Sequence, residues 1–463
     1  MGEKMIAIVL SDKAYENDVY PLVKAFYPEE TLKVTFMDTV MDHNDTRNEN
    51  NQDEPHTIMI GFYPNQVSIK FQTEQGIELQ QTIDINTVNC SRTQYKNSFK
   101  RLLYRMLSER LQKELPWGIL TGIRPTKLVY EMLEDNRELH DICTHMKKEY
   151  LCSEDKIDMS VRIARREMEL LKEIDDRNGY SLYVGIPFCP STCLYCSFTS
   201  YSIEKFSNYV EAYLDALEKE IIFGAGCFPD KKLTTVYLGG GTPTTLSAEQ
   251  LDRLLKLIRK HFDFTYVKEF CVEAGRPDSI TRNKLVVLKE NGVDRISINP
   301  QSMQQRTLDL IGRKHSVEQI KEAFQLARET GHDNINMDII IGLPGENLED
   351  VQDTLRQLEE LNPESLTVHT LALKRAARLN LEKDSYSDLK ANDVTKMLEA
   401  TIHFAKKHDY LPYYLYRQKN MADNLENIGY AKHGKEGLYN ILIMEEQQTI
   451  LALGAGKKCN GLH

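Results

Sequence analysis

The chain has 463 residues, 41% hydrophobic and 27% charged, so it can bury a real core and is neither disordered nor membrane-like in composition. Its 58 basic and 69 acidic residues leave a net charge of −11, which disfavours a general nucleic-acid binder, and no apolar run approaches the ~18–20 residues that span a bilayer. Residues 5–10 are too short an apolar run for a secretory leader, so the expected compartment is the cytoplasm, where clustered cysteines point to metal or catalysis rather than disulfides.

In chain order, short strand-like runs fall at 5–10, 32–37, 57–62, 66–71 and 79–85, interrupted by a polar loop at 42–54 with almost nothing to bury. A helix is predicted over 95–115, with Phe99, Leu102, Leu103, Met106 and Leu111 near helical spacing. Residues 1–90 carry fifteen acidic and six basic side chains, whereas 91–130 carry nine basic and two acidic. The basic stretch either packs near the acidic one or faces an anionic ligand. Helical connectors run from about 125 to 175, after a loop at 116–125 that holds the only tryptophan, Trp117.

From Ser181 the grammar becomes strand, loop, helix, repeated. Apolar strand runs start near Leu182, Val236, Phe270, Ile296, Ile335 and Leu366, at intervals that suit βα units of a parallel sheet. Ser247-x-x-Gln250 and Ser316-x-x-Gln319 read as capping boxes, and Gly292 and Gly331 as helix stops. The fold class is therefore α/β. Six βα units are too few for a full eight-stranded barrel and suit a partial (β/α)6 TIM-like barrel or an open parallel sheet, with the site at the C-terminal ends of the strands. The expected division is a small N-terminal α+β accessory domain with helical connector (1–165), the core (170–372) and a C-terminal α+β extension (373–463).

The first core strand runs into Cys189-x3-Cys193-x2-Cys196. Three soft thiolates on one short loop can hold a metal centre from one side. Zinc would want a fourth ligand, and the nearest histidines in sequence are His145 and His261. A four-iron cubane held by three thiolates leaves one iron open for a small molecule. At other strand ends stand Gly239-Gly240-Gly241-Thr242, Glu273, Gln301 and Asp338. Singly, each serves as well as a turn or strand-end cap; together they put polar groups on one rim, as a nucleoside pocket needs.

The cysteine spacing after the first strand of a partial parallel barrel resembles the radical S-adenosylmethionine (SAM) superfamily. More closely, the chain resembles the oxygen-independent coproporphyrinogen III oxidase (coproporphyrinogen dehydrogenase) family, in its HemZ-type branch with an extra N-terminal domain. The phrases that carry the likeness are YVGIPFCPSTCLYCSFTSY (183–201), YLGGGTPT (237–244), VEAGRPDSI (272–280), RISINPQSM (295–303), IGRKH (311–315), NMDIIIGLPGE (336–346) and YYLYRQKNMADNLENIGY (413–430).

The resemblance implies a [4Fe–4S] cluster on Cys189, Cys193 and Cys196. It places SAM contacts at Tyr183, Tyr195, Gly240, Gly241, Thr242, Glu273, Gln301, Arg313, Asp338 and Ile340. The implied reaction is oxidative decarboxylation of two propionates of coproporphyrinogen III to vinyl groups, through a 5′-deoxyadenosyl radical. Its partners would be a tetrapyrrole substrate and an external flavodoxin- or ferredoxin-like one-electron donor, with no nucleic acid.

Lys374, Arg375, Arg378, Arg417 and Lys419 are candidates for binding the substrate carboxylates; solvated surface is their other reading. Two departures keep a haem-binding chaperone of the same family, or a radical SAM methyltransferase acting on a tetrapyrrole, as alternatives. Proven dehydrogenases of the family carry a further cysteine where this chain has Phe198. The chaperone branch carries a His-Asn-x-x-Tyr-Trp signature that is absent here, where Asn424-Leu425-Glu426-Asn427-Ile428-Gly429-Tyr430 stands.

Overall fold

Alternating apolar residues in the first ninety positions build a sheet that buries one face. The computed structural model describes residues 5–28, 30–37, 56–73, 76–86, 90–122, 124–174, 178–197, 200–372, 377–381, 393–417 and 425–455. The described chain divides into two units: Met1–Val161 with Arg417–Leu425, and Arg162–Tyr416 with Glu426–His463.

In the first unit, strands β1 (Met5–Leu10), β2 (Thr31–Phe36), β3 (His56–Tyr63), β4 (Gln66–Thr73) and β5 (Gly76–Asp84) form one sheet in the order β2-β1-β3-β4-β5. β1 lies parallel to both neighbours, and the last three strands form an antiparallel meander. Ile6, Ile8 and Leu10 are buried from every second position of β1, as a half-covered strand requires. The helix Arg92–Leu111 buries Phe99, Leu103, Met106 and Leu107, an i, i+4, i+7, i+8 stripe. Its start is a capping box between Ser91 and Gln94. Helices Thr126–Glu134 and Leu139–Tyr150 follow, and the division between the units falls within the next helix, Glu154–Leu171. Trp117 is fully buried, with Lys156 and Arg417 each 5.9 Å from its ring.

The second unit is an α/β layer. Strands β6 (Gly179–Ile186), β9 (Lys232–Gly240), β10 (Glu269–Gly275), β11 (Arg295–Ile298), β12 (Ile335–Ile341) and β13 (Ser365–Thr370) lie parallel, each beside its predecessor. These are the six strands expected from the sequence. Two short strands, β7 (Phe188–Cys189) and β8 (Tyr201–Ser202), pair beside the cysteine loop. Both predicted capping boxes are made in full, at Ser247 with Gln250 and at Ser316 with Gln319.

Residues beyond 373 extend the same sheet. β14 (Leu411–Tyr416) and β15 (Asn427–Ala431) add antiparallel strands beyond β13. β16 (Thr449–Gly454) returns to the other side and lies parallel to β6. The full order is β14-β15-β13-β12-β11-β10-β9-β6-β16. Because the six central strands run the same way, their C-terminal ends share one rim, and the loops leaving them meet there.

Candidate radical SAM site

The cysteine loop leaves the end of β6 and is tied to its neighbours by backbone bonds. The Gly241 N–H donates to Ile186 O and the Thr242 N–H to Phe188 O, both at 2.7 Å, so the glycine turn after β9 lies against the loop's entry. The Leu194 N–H donates to Ile311 O at 2.9 Å, fastening the other side. Gly241 is required by this contact: a Cβ there would lie 2.5 Å from Phe188 O. The backbone approach that a ligand-binding turn needs is thus already used to dock the loop.

Cys193 is buried, and Cys189 and Cys196 are half-buried. The Thr242 hydroxyl donates to Cys189 Sγ at 3.5 Å. Burial pushes the Cys189 thiol up, partly offset by that hydroxyl. Among the described residues, no group of three or more His, Cys, Asp or Glu is placed to hold a single metal ion. A four-iron cluster makes a different demand, because each thiolate takes its own iron. Three thiols on one loop fit that demand, whereas a closed tetrahedral zinc site would want a fourth ligand.

Arg313 is buried at 5% exposure and donates to the carbonyls of Asn299 and Pro300 beyond β11. Its charge acts on Tyr195 and Cys193, which places the guanidinium against the cysteine loop. Its Nε, with Asn299 Oδ1 and Gln301 Oε1, is a buried polar atom with no hydrogen-bond partner. Orphaned buried donors and acceptors are costly unless a ligand satisfies them. Gln301 also holds φ at 68°, a left-handed conformation that is strained for a side chain of this kind. Its backbone bridges to β12: the Gln301 N–H donates to Asp338 O and the Ile340 N–H to Gln301 O, both at 2.9 Å. Gln301, Asp338 and Ile340 are therefore held together.

Two carboxylates on the rim are each supported from the next strand. Tyr237 of β9 donates to Glu273 Oε1 of β10. Tyr237 stacks on Tyr439 at 4.4 Å between ring centroids, and Tyr183 of β6 stacks on Tyr237 at 6.2 Å. Asp338 of β12 accepts from Asn336 Nδ2 at 2.6 Å and lies 3.8 Å from His369 Nε2 of β13. His369 Nδ1 lies 3.3 Å from the Tyr416 hydroxyl. Burial would raise the Asp338 carboxyl, but His369, Asn336 and Thr367 outweigh it and hold it below the usual range.

The structure thus gathers Cys189, Cys193, Cys196, Tyr195, Gly240, Gly241, Thr242 and Arg313 about the loop, and Glu273, Gln301, Asp338 and Ile340 along the strand ends. Of the carboxylate-binding candidates, Lys374, Arg375 and Lys419 lie outside the described residues. Arg378 is exposed at the start of a short helix whose Leu379 N–H donates to Leu194 O at 2.9 Å, next to the cysteine loop. Arg417 is placed otherwise: it is buried in the first unit and donates to Leu120 O at 2.6 Å. Its charge is used to close that fold.

Sequence reasoning passed over Tyr237, Tyr439 and His369. Tyr237 was open to discovery, because it shares a strand face with Gly239, two positions on. Tyr439 was not, because only the tertiary fold brings it to β9.

The radical SAM superfamily model matches residues 183–358. The oxygen-independent coproporphyrinogen-III oxidase-like protein HemZ of Bacillus subtilis is 43% identical over 367 residues, covering 78% of this chain and 73% of the relative. The haem chaperone HemW of Bacillus subtilis is 33% identical over 279 residues, covering 60% and 69%. A solved structure of coproporphyrinogen III oxidase from Escherichia coli, a radical SAM enzyme, superposes with a TM-score of 0.50 at 27% identity, covering 62% of this chain and 66% of that one. Radical SAM proteins use a [4Fe–4S] cluster and SAM. With its cysteine loop and strand-end rim, the chain belongs to the radical SAM superfamily and, within it, to the oxygen-independent coproporphyrinogen III oxidase-like family typified by HemZ.

Proposed function

We propose that the chain is a radical SAM oxidoreductase that decarboxylates two propionates of coproporphyrinogen III to vinyl groups without oxygen, yielding protoporphyrinogen IX. The observation that carries this reading is the junction of the cysteine loop with the rim. Buried Arg313 faces Cys193 and Tyr195 from one side, while Gly241 and Thr242 are bonded to the loop from the other. A nucleoside ligand with a carboxylate, seated on that loop, would meet a cation, a close backbone approach and the orphaned Gln301 Oε1.

When bound, the cluster and SAM would supply a 5′-deoxyadenosyl radical able to take a hydrogen atom from a propionate β-carbon, and loss of CO2 with one electron passed to a one-electron acceptor would complete the vinyl group. Cys189, Cys193 and Cys196 would hold three irons as thiolates. Arg313 would pair with the SAM carboxylate, a charge-assisted bond strengthened by burial. Glu273, oriented by the Tyr237 hydroxyl on Oε1, would accept from the ribose hydroxyls. Tyr183 and Tyr195 would flank the nucleoside, and Gly240 would leave room for the amino group. Arg378 would meet a substrate propionate at the edge of the loop. A soluble one-electron donor of flavodoxin or ferredoxin type and a cytoplasmic setting complete the reading. Among the described residues, no helix is long and apolar enough to cross a membrane.

A second reading, a haem-binding chaperone that keeps the cluster, is favoured by Phe198, which stands where proven dehydrogenases carry a cysteine. One anaerobic experiment separates the two. The reconstituted protein is given dithionite, SAM and coproporphyrinogen III, and products are followed by mass spectrometry. Loss of two CO2 with 5′-deoxyadenosine formed in step is the expected result. Deoxyadenosine without change in the porphyrinogen, together with stoichiometric haem binding, would overturn the decarboxylase and leave the chaperone.

A further inference from the structure

The loop after β10 carries a buried ion pair that none of the expected SAM contacts uses. Arg276 is 3% exposed, and its guanidinium faces two ways. Nε and Nη2 bind the two carboxylate oxygens of Asp278 at 3.0 and 2.7 Å. Nη1 turns toward the cysteine loop. It donates to Ser191 O at 3.1 Å and Ser191 Oγ at 2.6 Å, and it lies 3.9 Å from Cys193 Sγ. Ser191 Oγ donates onward to Gly312 O at 3.0 Å. On the far side, His315 Nδ1 is 3.6 Å from Asp278 Oδ1.

Burying an arginine beside a loop of thiols is costly unless its donors are all used. Here the fork is filled, and its geometry is directional. The carboxylate takes the outer face, so the positive end of the ion pair points at the middle cysteine. Hydrogen bonds and charge at a cluster's sulfurs are among the levers that set its reduction potential. One-electron reduction adds a negative charge, and a fixed neighbouring cation stabilises the reduced state more than the oxidised one.

We propose that Arg276 is a positioning residue for the cluster: it pins the loop at Ser191 and, through Nη1 against Cys193, raises the cluster's reduction potential, with Asp278 tempering its charge. This rests on the assignment of the cluster to Cys189, Cys193 and Cys196, and it concerns the potential, not substrate or SAM contacts. The pair gives it a signature that a merely structural role would not share. Removing the cation and removing its counter-ion move the potential in opposite directions.

The test is a redox titration of the reconstituted full-length protein, followed by electron paramagnetic resonance, with iron and sulfide counted per chain. Arg276→Gln is expected to shift the midpoint to lower potential, and Asp278→Asn to higher potential. Unchanged midpoints in both variants, or shifts of the same sign, would overturn the proposal. Should Arg276→Gln fail to load iron, Asp278→Asn decides: a higher midpoint supports the proposal, and an unchanged or lower one defeats it. Cys193→Ala run alongside tests the underlying assignment separately. If that variant keeps a full complement of cluster, the ligand assignment fails, whatever the midpoints show.

Discussion

Tyr237 holds Glu273 from the neighbouring strand, its phenol hydrogen on one carboxylate oxygen, and is itself clamped in a three-ring cluster with Tyr183 and Tyr439. The clamp begins with Glu269 at the start of β10. Its carboxylate accepts the N–H groups of Leu438 and Tyr439 at 2.8 and 3.0 Å and so caps the helix that delivers Tyr439. Tyr237→Phe should therefore keep fold and cluster while weakening SAM binding by about 1.5–3 kcal/mol, the worth of a hydrogen bond to a charged group, or roughly ten- to 150-fold. Titration calorimetry with SAM checks this. In a Glu273→Gln background the same change should cost much less, because the two side chains act as one unit.

Arg313 combines two duties, since its guanidinium bonds the Asn299 and Pro300 carbonyls while facing the cysteine loop. Arg313→Ala should lose more than tenfold in SAM affinity with iron content unchanged. It should also lose about 1–3 kcal/mol of stability from the orphaned carbonyls. Calorimetry and urea unfolding read the two effects apart. Unaltered SAM affinity would remove Arg313 from the site.

Glu346 sets a pH dependence of stability. It is buried at 4% exposure and accepts from the Ser302 hydroxyl; burial is the main cause that lifts its carboxyl to about 7, against an ordinary value of 4.5. The folded state therefore holds this proton more tightly than the unfolded chain does. The stabilisation is fully present below about pH 4.5 and is lost as pH rises through about 7. In Glu346→Gln the difference in urea midpoint between pH 5 and pH 8 should shrink, by an amount equivalent to up to about 3 kcal/mol. An undiminished difference would show that other groups carry it.

Gly185 of β6 lies opposite Gly454, the last residue of β16. A Cβ there would lie 1.9 Å from Ala455 O. Gly185→Ala should cost about 1–3 kcal/mol by overpacking, and it should also lower iron uptake, since the strand leads straight into the cysteine loop. Thermal unfolding and iron counts on the same preparation test both outcomes. A variant of wild-type stability would mean that the backbone there relaxes freely.

The core strands and their helices were legible because their signals are local. An apolar run of six or seven residues reads as a buried parallel strand on its own, and Ser316-x-x-Gln319 folds back on itself whatever surrounds it. Gly292 and Gly331 take φ of 75° and 86°, as helix stops should. The three cysteines were legible for the same reason, all lying on one loop. What escaped was long-range. β16 pairs with a strand far back in the chain, so nothing near Thr449 announces its partner. Arg276 and Arg417 are both single arginines whose neighbours in sequence announce no partner. Only packing makes one a neighbour of Cys193 and the other a clasp on Leu120.

The place of β16 bears on how the protein is made. The strand feeding the cysteine loop has β9 on one side and β16 on the other, and during synthesis that second side stays open until the ribosome has passed Gly454. An unpaired parallel edge of buried apolar residues is sticky for all that time. The side of the sheet that carries the cysteine loop is thus the last to close.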